Sequence, residues 1–311
     1  MIKTRLKIFI FFLFFITPIA NWGNNLFFIQ EKVLAKDIVS MKVKEFNQYV
    51  GVVFLEKSGK NFSLKFQTYL EKELLTEIEI EKFQTPTNIN FDFSIDANTL
   101  YLVYQNPNNQ ILYQRLESIY SKPLVSRKDI ISQEDGMVYS APSLYRMGKK
   151  IYIFFHKESD KNKLDIQLRI AENGSDFTQP LNFTENLGYA IYPKLVVLRD
   201  RLGVFFQARE QDTQGKIYFD IFYHQINLEG TRVLEKHKLT QNMGDNYSVQ
   251  GFFMDNKYFL TWENRLNSWR IFYSAIDLNS GKMLLSPKSL TSSFYNYRKP
   301  NIVKMGDLTY L

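Results

Sequence analysis

The sequence contains no cysteine among its 311 residues and only three histidines. Without cysteine, disulfide bonds and attachment through a lipidated N-terminal cysteine are excluded, so the fold must be held by its core. The histidines lack zinc-ligand spacing, which predicts no metal site. The glycines form neither Gly-x-Gly-x-x-Gly nor Gly-Lys-Ser/Thr, and no Gly-x-Ser-x-Gly occurs. We therefore expect no cofactor and no serine-hydrolase elbow.

Long hydrophobic runs are also missing, apart from one at the N-terminus. Basic residues precede an apolar stretch at 8–16, and small residues follow it. This is typical of a secretory signal, with cleavage fitting after Ala20 or Ala35. The alternative is an uncleaved anchor helix, so a membrane is expected as a partner only through this segment. We expect the protein to be exported to the periplasm, the cell surface or the medium.

Positive charge is in modest excess, since the chain has 39 basic and 32 acidic residues. No block of basic residues of the kind that follows a nucleic-acid backbone is present, so we expect no nucleic-acid partner. Hydrophobic residues make up 45% of the chain and aromatic residues 16%. This composition predicts a globular protein with an unusually aromatic core.

An apolar segment that ends in an aromatic residue recurs at intervals of about fifty residues. The final aromatics are Phe54, Tyr104, Phe155, Phe206 and Trp262. A second series, beginning at Met41 and Phe91, keeps the same period. Because two independent markers share one spacing, we interpret the segments as copies of one structural unit.

Each repeat divides into four predicted strands. The second strand is apolar on both faces, as in 150–156, and must be covered on both sides, whereas the third alternates. Gly174, Gly230 and Gly281 mark the turn after the third strand and are expected to have positive φ. Radial stacking of such sheets predicts an all-β protein, a β-propeller of four-stranded antiparallel blades. A β-sandwich with accidental spacing is the alternative.

The period also predicts the boundaries of the blades. Residues 1–35 form a signal peptide and leader, and residues 36–294 hold five complete blades. Residues 295–311 open an incomplete sixth blade. Either further C-terminal blades or domains follow in a longer protein, which we favour, or the last strands close a five-bladed ring. The five predicted blades are 38–89, 90–137, 138–188, 189–244 and 245–294.

Three motifs resemble those of known propellers. The segment 262–281, which begins Trp262-Glu263-Asn264-Arg265, resembles repeats of secreted bacterial propellers. The segment 170–177 resembles a degenerate Asp-box of the sialidase-like (BNR) propellers, with Glu172 at the Asp position. Tyr297-Arg298-Lys299-Pro300 is similar to the Phe/Tyr-Arg-Ile-Pro motif of sialidases, with Lys in place of Ile. The resemblance implies a propeller fold and a site where the central channel opens.

In a propeller, the ends of second strands and the starts of first strands share the face on which the channel opens. The repeat places a polar rim with several tyrosines there. Aromatic rings stack on sugars or prolines, while arginine and carboxylate groups fix orientation. The alternative is that these polar residues bind no ligand and only keep the surface loops hydrated. The predicted rim consists of Glu56, Gln105, Tyr139, His156, Glu158, Tyr192, Arg209, Glu210, Tyr247, Glu263, Arg265, Tyr297 and Arg298.

These features favour an exported, non-catalytic recognition module. It would bind a glycan, peptide or protein ligand on the channel face, as the N-terminal part of a longer envelope or sensor protein. A second hypothesis, implied by the resemblance, is an exo-glycosidase of sialidase type. Arg209, Arg265 and Arg298 would then surround a substrate carboxylate, and Tyr247 or Tyr297 would pair with Glu210 or Glu263. A third is a structural repeat that assembles through an open edge.

Overall fold

The structure, a computed structural model, describes 37–70, 73–84, 89–132, 136–160, 163–184, 187–211, 215–241, 244–254 and 257–291, together with 303–305 and 308–310. Two compact units are present, Met1–Pro86 and Thr87–Leu311. Every element of the described ranges is a strand. Across these ranges no helix is long and apolar enough to cross a membrane. The predicted leader, Tyr297 and Arg298 lie outside them.

The first unit contains one four-stranded antiparallel sheet, with strands in sequence order. The strands are β1 (Ile38–Phe46), β2 (Tyr49–Ser58), β3 (Asn61–Leu70) and β4 (Glu73–Phe83). Strand β2 is buried from Gly51 to Leu55, so this sheet has the apolar second strand that the repeat predicted.

The second unit contains four further sheets of the same order and a terminal hairpin. The first two sheets are β5 (Phe91–Asp96), β6 (Thr99–Gln105), β7 (Ile111–Glu117) and β8 (Leu124–Ile130), then β9 (Val138–Met147), β10 (Lys150–Asp160), β11 (Lys163–Glu172) and β12 (Leu181–Asn182). The third sheet is β13 (Ala190–Val197), β14 (Arg201–Gln211), β15 (Ile217–Asn227) and β16 (Arg232–Lys238). The fourth is β17 (Asp245–Met254), β18 (Lys257–Arg265), β19 (Trp269–Asp277), β20 (Lys282–Met283) and β21 (Lys288–Ser289), and the hairpin is β22 (Val303–Met305) with β23 (Leu308–Tyr310). The predicted all-β fold of four-stranded antiparallel blades is confirmed.

Burial of the second strands on both faces explains how the sheets of the second unit pack. Residues 151–155 of β10 are all 0% exposed. Phe155 belongs to a cluster with Tyr113 of β7, whereas Phe154 belongs to a cluster with Phe206 of β14. One strand thus supplies apolar surface to the sheets on both sides, which a propeller requires and a two-layer sandwich does not.

A hydroxyl group closes the outer edge of each sheet in the second unit. It lies beyond the fourth strand and accepts a hydrogen bond from the backbone N–H of an isoleucine in the third strand. This arrangement satisfies a buried donor at the point where fourth-strand pairing ends. The pairs are Ile111 with Ser132 (3.0 Å), Ile166 with Thr184 (2.8 Å), Ile221 with Thr240 (3.0 Å) and Ile271 with Thr291 (3.0 Å).

Replacing Thr184 by valine is expected to lower the free energy of unfolding by about 1–2 kcal/mol, because the buried Ile166 N–H loses its acceptor at nearly constant side-chain volume. Thr184 is 1% exposed. Chemical denaturation measures the change. The control is Thr231→Val, at an exposed turn position, where less than about 0.5 kcal/mol is expected. Equal losses in the two variants would contradict this role of the hydroxyl.

The segment that resembles an Asp-box is a tight turn after β11. Asn173 and Gly174 have φ angles of 53° and 66°, and the Ser175 hydroxyl donates to the carbonyl of Glu172. Phe177 then packs edge-on against Tyr113 of the preceding sheet, with ring centroids 4.9 Å apart. The motif therefore has a structural role, fixing one blade against the next.

Candidate functional site

The innermost strands of three sheets carry a β-bulge near their start. The residue in the left-handed conformation is Ala141 in β9, Tyr192 in β13 and Ser248 in β17, with φ between 48° and 55°. The register with the neighbouring strand shifts at each of these points. A residue other than glycine rarely adopts this φ, so its recurrence at one repeat position marks a built feature.

The bulge shows that the predicted rim tyrosines do not occupy equivalent positions. Tyr192 lies at the bulge, Tyr247 one residue before it and Tyr139 two residues before it. Their exposures differ accordingly, because Tyr139 is 4% exposed and Tyr192 is 58% exposed. Only the tertiary structure reveals this offset, since the spacing of the tyrosines in the sequence is close to the period.

The residue after the final aromatic of each second strand is polar and buried in four sheets. His156 is 3% exposed, and its Nε2 accepts a hydrogen bond from the Tyr192 backbone N–H at 3.2 Å. Burial lowers the pKa of His156 to about 4, so the imidazole is neutral and can accept this bond. His156 thereby supports the bulge that displays Tyr192. The four residues are Gln105, His156, Gln207 and Glu263.

Four aromatic rings and two arginines form a continuous run of tilted and edge-on contacts along one end of the third and fourth sheets of the second unit, which we call the aromatic–arginine ladder. The Arg209 Cζ lies 4.5 Å from the Tyr189 ring and 4.8 Å from the Phe219 ring. The Phe219 and Tyr247 ring centroids are 5.3 Å apart, those of Tyr247 and Trp269 are 5.7 Å apart, and the Arg265 Cζ is 5.5 Å from the Trp269 ring. Tyr189, Arg209, Phe219, Tyr247, Trp269 and Arg265 are its members.

The strand register explains why the ladder forms. Arg209 faces Phe219 across β14 and β15, and Arg265 faces Trp269 across β18 and β19. The same pair of positions is therefore used in two consecutive sheets. Asp245, at the start of β17, links the two sheets, because its Oδ1 accepts a hydrogen bond from the backbone N–H of Phe219 in β15 at 3.0 Å. Packing and hydrogen bonding thus hold the ladder in one arrangement.

The hydroxyl of Tyr247 is a hydrogen-bond donor in this site. Burial and the neighbouring Asp245 carboxylate raise the pKa of Tyr247 to about 12, while the positive charges of Arg209 and Arg265 act in the opposite direction. Three residues that the sequence predicted for one site, Arg209, Arg265 and Tyr247, are thus brought together.

The structure places the predicted glutamates in different surroundings. Glu210 forms ion pairs with Lys238 at 3.1 Å and Lys236 at 4.0 Å, both on β16. Glu263 is 1% exposed and lies opposite Tyr247 in the strand register. Glu158 is half-buried at the end of β10. In the first unit, Glu56 pairs with Lys65 at 2.7 Å.

Sequence reasoning missed Tyr189, Phe219, Trp269 and Asp245. A signal for two of them exists, because Phe219 and Trp269 each stand two residues before the isoleucine that recurs in the third strand. Tyr189 and Asp245 carry no such marker.

As for metals, the described ranges hold no group of three or more His, Cys, Asp or Glu side chains arranged to bind an ion.

No family model matches the sequence, and no curated protein matches it. The fold is similar to that of an alpha-L-arabinanase from Penicillium chrysogenum, solved in complex with arabinobiose, with 8% identity, a TM-score of 0.57, and 88% of this chain and 86% of that chain covered. An alpha-L-arabinofuranosidase from Lactobacillus brevis has 14% identity and a TM-score of 0.46, over 67% of this chain and 73% of that one. An endo-arabinase from Bacteroides thetaiotaomicron has 14% identity and a TM-score of 0.45, over 65% and 81%.

These comparisons correct the functional hypotheses drawn from the sequence. The prediction of a non-catalytic recognition module is wrong, because the structure with the similar propeller fold is named as an arabinanase, a glycoside-cleaving enzyme. The sialidase-type alternative finds no support either, since that enzyme is an arabinanase. The resemblance to sialidase-like repeats therefore holds for the propeller fold and does not extend to that family.

Proposed function

We propose that this chain is a glycoside hydrolase whose polysaccharide substrate binds along the aromatic–arginine ladder. The observation that carries this proposal is the row of rings from Tyr189 to Trp269, with successive members 4.5–5.7 Å apart through Arg209, Phe219 and Tyr247. Sugar rings stack on aromatic faces, and Tyr189, Tyr247 and Trp269 are partly exposed, whereas Phe219 is buried at 6% exposure and supports its neighbours. Three partly exposed rings in a row suit a chain of sugars better than a single small ligand. The fold shared with an arabinanase supports a hydrolase on this scaffold.

Hydrolysis of a glycosidic bond generally needs two carboxyl groups that flank it. Asp245 contacts the ladder through the Phe219 N–H and is partly exposed. Glu158 lies opposite Leu164 in the strand register, and Leu164 belongs to the apolar cluster that contains the ladder residues Phe219, Tyr189 and Tyr247. Glu263 is less suitable because it is buried, and Glu210 because lysines neutralise it.

We assign Glu158 and Asp245 as the reacting pair. One carboxyl group would protonate the glycosidic oxygen as its bond to the anomeric carbon breaks. The other would take a proton from the water that attacks that carbon, so that two sugar hydroxyls replace the bond. An extracellular polysaccharide would also agree with the export that residues 1–35 predict. The arabinanase likeness makes arabinan the first substrate to test.

The test is release of reducing ends from arabinan and from acidic plant polysaccharides by the purified full-length protein. Glu158→Gln and Asp245→Asn are each expected to lower kcat by roughly 100- to 10,000-fold, the usual contribution of a general acid or base. The matched control is Glu229→Gln, an exposed carboxylate in the turn between β15 and β16, which should leave kcat unchanged. Full activity in both site variants, or no release from any substrate, would refute the proposal.

A further inference from the structure

We propose that the glycan bound along the aromatic–arginine ladder is acidic, and that its uronic acid carboxylates are bound by Arg209 and Arg265. This inference rests on the proposed function in that it names the substrate class of the same site. It concerns the charge of the substrate, which neither the fold nor the row of rings determines.

The first argument is that these two guanidinium groups have no acidic partner. Arg127 pairs with Asp129, Arg146 with Asp96, and Arg201 with Asp200. By contrast, Arg209 and Arg265 are exposed, and within the described ranges neither forms an ion pair or a side-chain hydrogen bond. Two cations with free donors on one surface are available to bind anions that come from outside the chain.

The second argument is that the rings hold these cations in place without using their hydrogen-bond donors. Arg209 contacts two aromatic rings, at 4.5 Å and 4.8 Å, which also contact each other edge-on, and Arg265 lies over Trp269. A ring interacts with the π face of a guanidinium group, while the five N–H donors lie in its plane. An arginine held this way can offer a preorganised fork to a carboxylate, which lysine cannot.

The third argument is the repetition. Arg209 and Arg265 occupy the same register position in consecutive sheets, each opposite an aromatic residue. The two charges are therefore one sheet apart, with Tyr247 and its protonated hydroxyl between them. A polymer that carries a carboxylate on recurring units matches such a row of cations and rings. The carboxylate already present, Asp245, accepts hydrogen bonds from the Phe219 N–H and from the Tyr247 hydroxyl.

The experiment is calorimetric titration of the full-length protein with two probes of similar length, oligogalacturonate and neutral arabino-oligosaccharide, at low and high salt. We expect oligogalacturonate to bind at least about 10-fold tighter, and the preference to fall at high salt, because exposed charge pairs are screened. Arg209→Gln and Arg265→Gln should each weaken oligogalacturonate binding about 10-fold or more, a clearly larger loss than the one either variant causes for the neutral probe.

Two further variants separate charge from folding. Arg199→Gln removes a positive charge from the turn between β13 and β14, at the opposite end of the sheet from Arg209, and should bind oligogalacturonate as the unaltered protein does. Arg209→Lys keeps the charge without the fork and should fall between the unaltered protein and Arg209→Gln. Thermal unfolding of each variant checks that the fold is retained.

The outcomes distinguish this inference from the proposed function. Equal affinity for the two probes, or full oligogalacturonate affinity in both glutamine variants, overturns the acidic-glycan inference even if the protein hydrolyses arabinan. Tight, arginine-dependent binding of oligogalacturonate without cleavage of any polysaccharide supports the inference while refuting the hydrolase.

Discussion

Replacing Gly174 by alanine is expected to lower the free energy of unfolding by about 4 kcal/mol. About 1–2 kcal/mol arises because the residue has a φ of +66°, which is costly for any residue with a Cβ. The remainder arises because the new methyl group would overlap the Tyr113 hydroxyl and lie 3.3 Å from the Ile151 Cδ1. Both neighbours are 0% exposed, so they have little room to move.

Two comparisons test this explanation by chemical denaturation. Gly148 has a similar φ of +57° but nothing within 4 Å of its added Cβ, so Gly148→Ala should cost only about 1–2 kcal/mol. Tyr113→Phe removes the overlapping oxygen, which is buried and has no hydrogen-bond partner among the described residues. Gly174→Ala should therefore cost less in the Tyr113→Phe background than alone. Identical costs in the two backgrounds would show that the overlap is not the cause.

Stability is expected to fall steeply as the pH drops from 6.5 towards 4, by as much as about 3 kcal/mol for each of two buried histidines. Burial lowers the pKa of both His156 and His224 to about 4, from the ordinary value of 6.5. In the unfolded chain each histidine becomes protonated as the pH falls below about 6.5. In the folded protein each becomes protonated only near pH 4. The free energy of unfolding therefore rises with pH across this window and is constant above it.

His224 contributes a second effect at neutral pH. Its ring packs against Phe183 with centroids 5.1 Å apart, and neither nitrogen has a partner among the described residues. Arg232, Lys236 and His237 further disfavour its charged form, whereas Glu235 acts in the opposite sense. His224→Leu should therefore raise stability at pH 7 by about 1–2 kcal/mol, because it removes an unsatisfied buried donor.

The pH dependence is tested with variants that cannot titrate in this range. His156→Gln is the conservative choice, since glutamine occupies the matching position in the sheets that hold Gln105 and Gln207. Each of His156→Gln and His224→Leu should reduce the slope of the unfolding free energy between pH 4.5 and 6 by up to about 1.4 kcal/mol per pH unit. A double variant whose slope matches that of the unaltered protein would contradict the assignment.

Much of the fold could be predicted from the sequence because the repeat is a local pattern. A strand that is apolar on both faces, such as β10, can only lie between two other sheets, and Gly174, Gly230 and Gly281 do adopt the positive φ expected at their turns. The fourth strand was harder to predict. In the sheet that contains β10, regular pairing covers only Leu181–Asn182, and the Thr184 hydroxyl accepts a further hydrogen bond from the third strand.

The candidate site could be predicted only in part. Arg209, Arg265 and Tyr247 were expected on one face, and they do meet in the ladder. His156 was expected on an open rim, but it is a buried support for Tyr192. Whether a side chain at the end of a strand is buried depends on the residues of the neighbouring sheet that cover it. The sequence of one repeat does not contain those residues.

The sequence alone determined the repeating sheet, its apolar second strand and its turns, since each follows from residues that are close together in the chain. Only the tertiary structure decided which polar side chains remain accessible and which aromatic rings meet. Tyr189, Phe219 and Trp269 come from three separate segments. They meet because consecutive sheets pack in register and because a bulge in β17 shifts the register beside Tyr247.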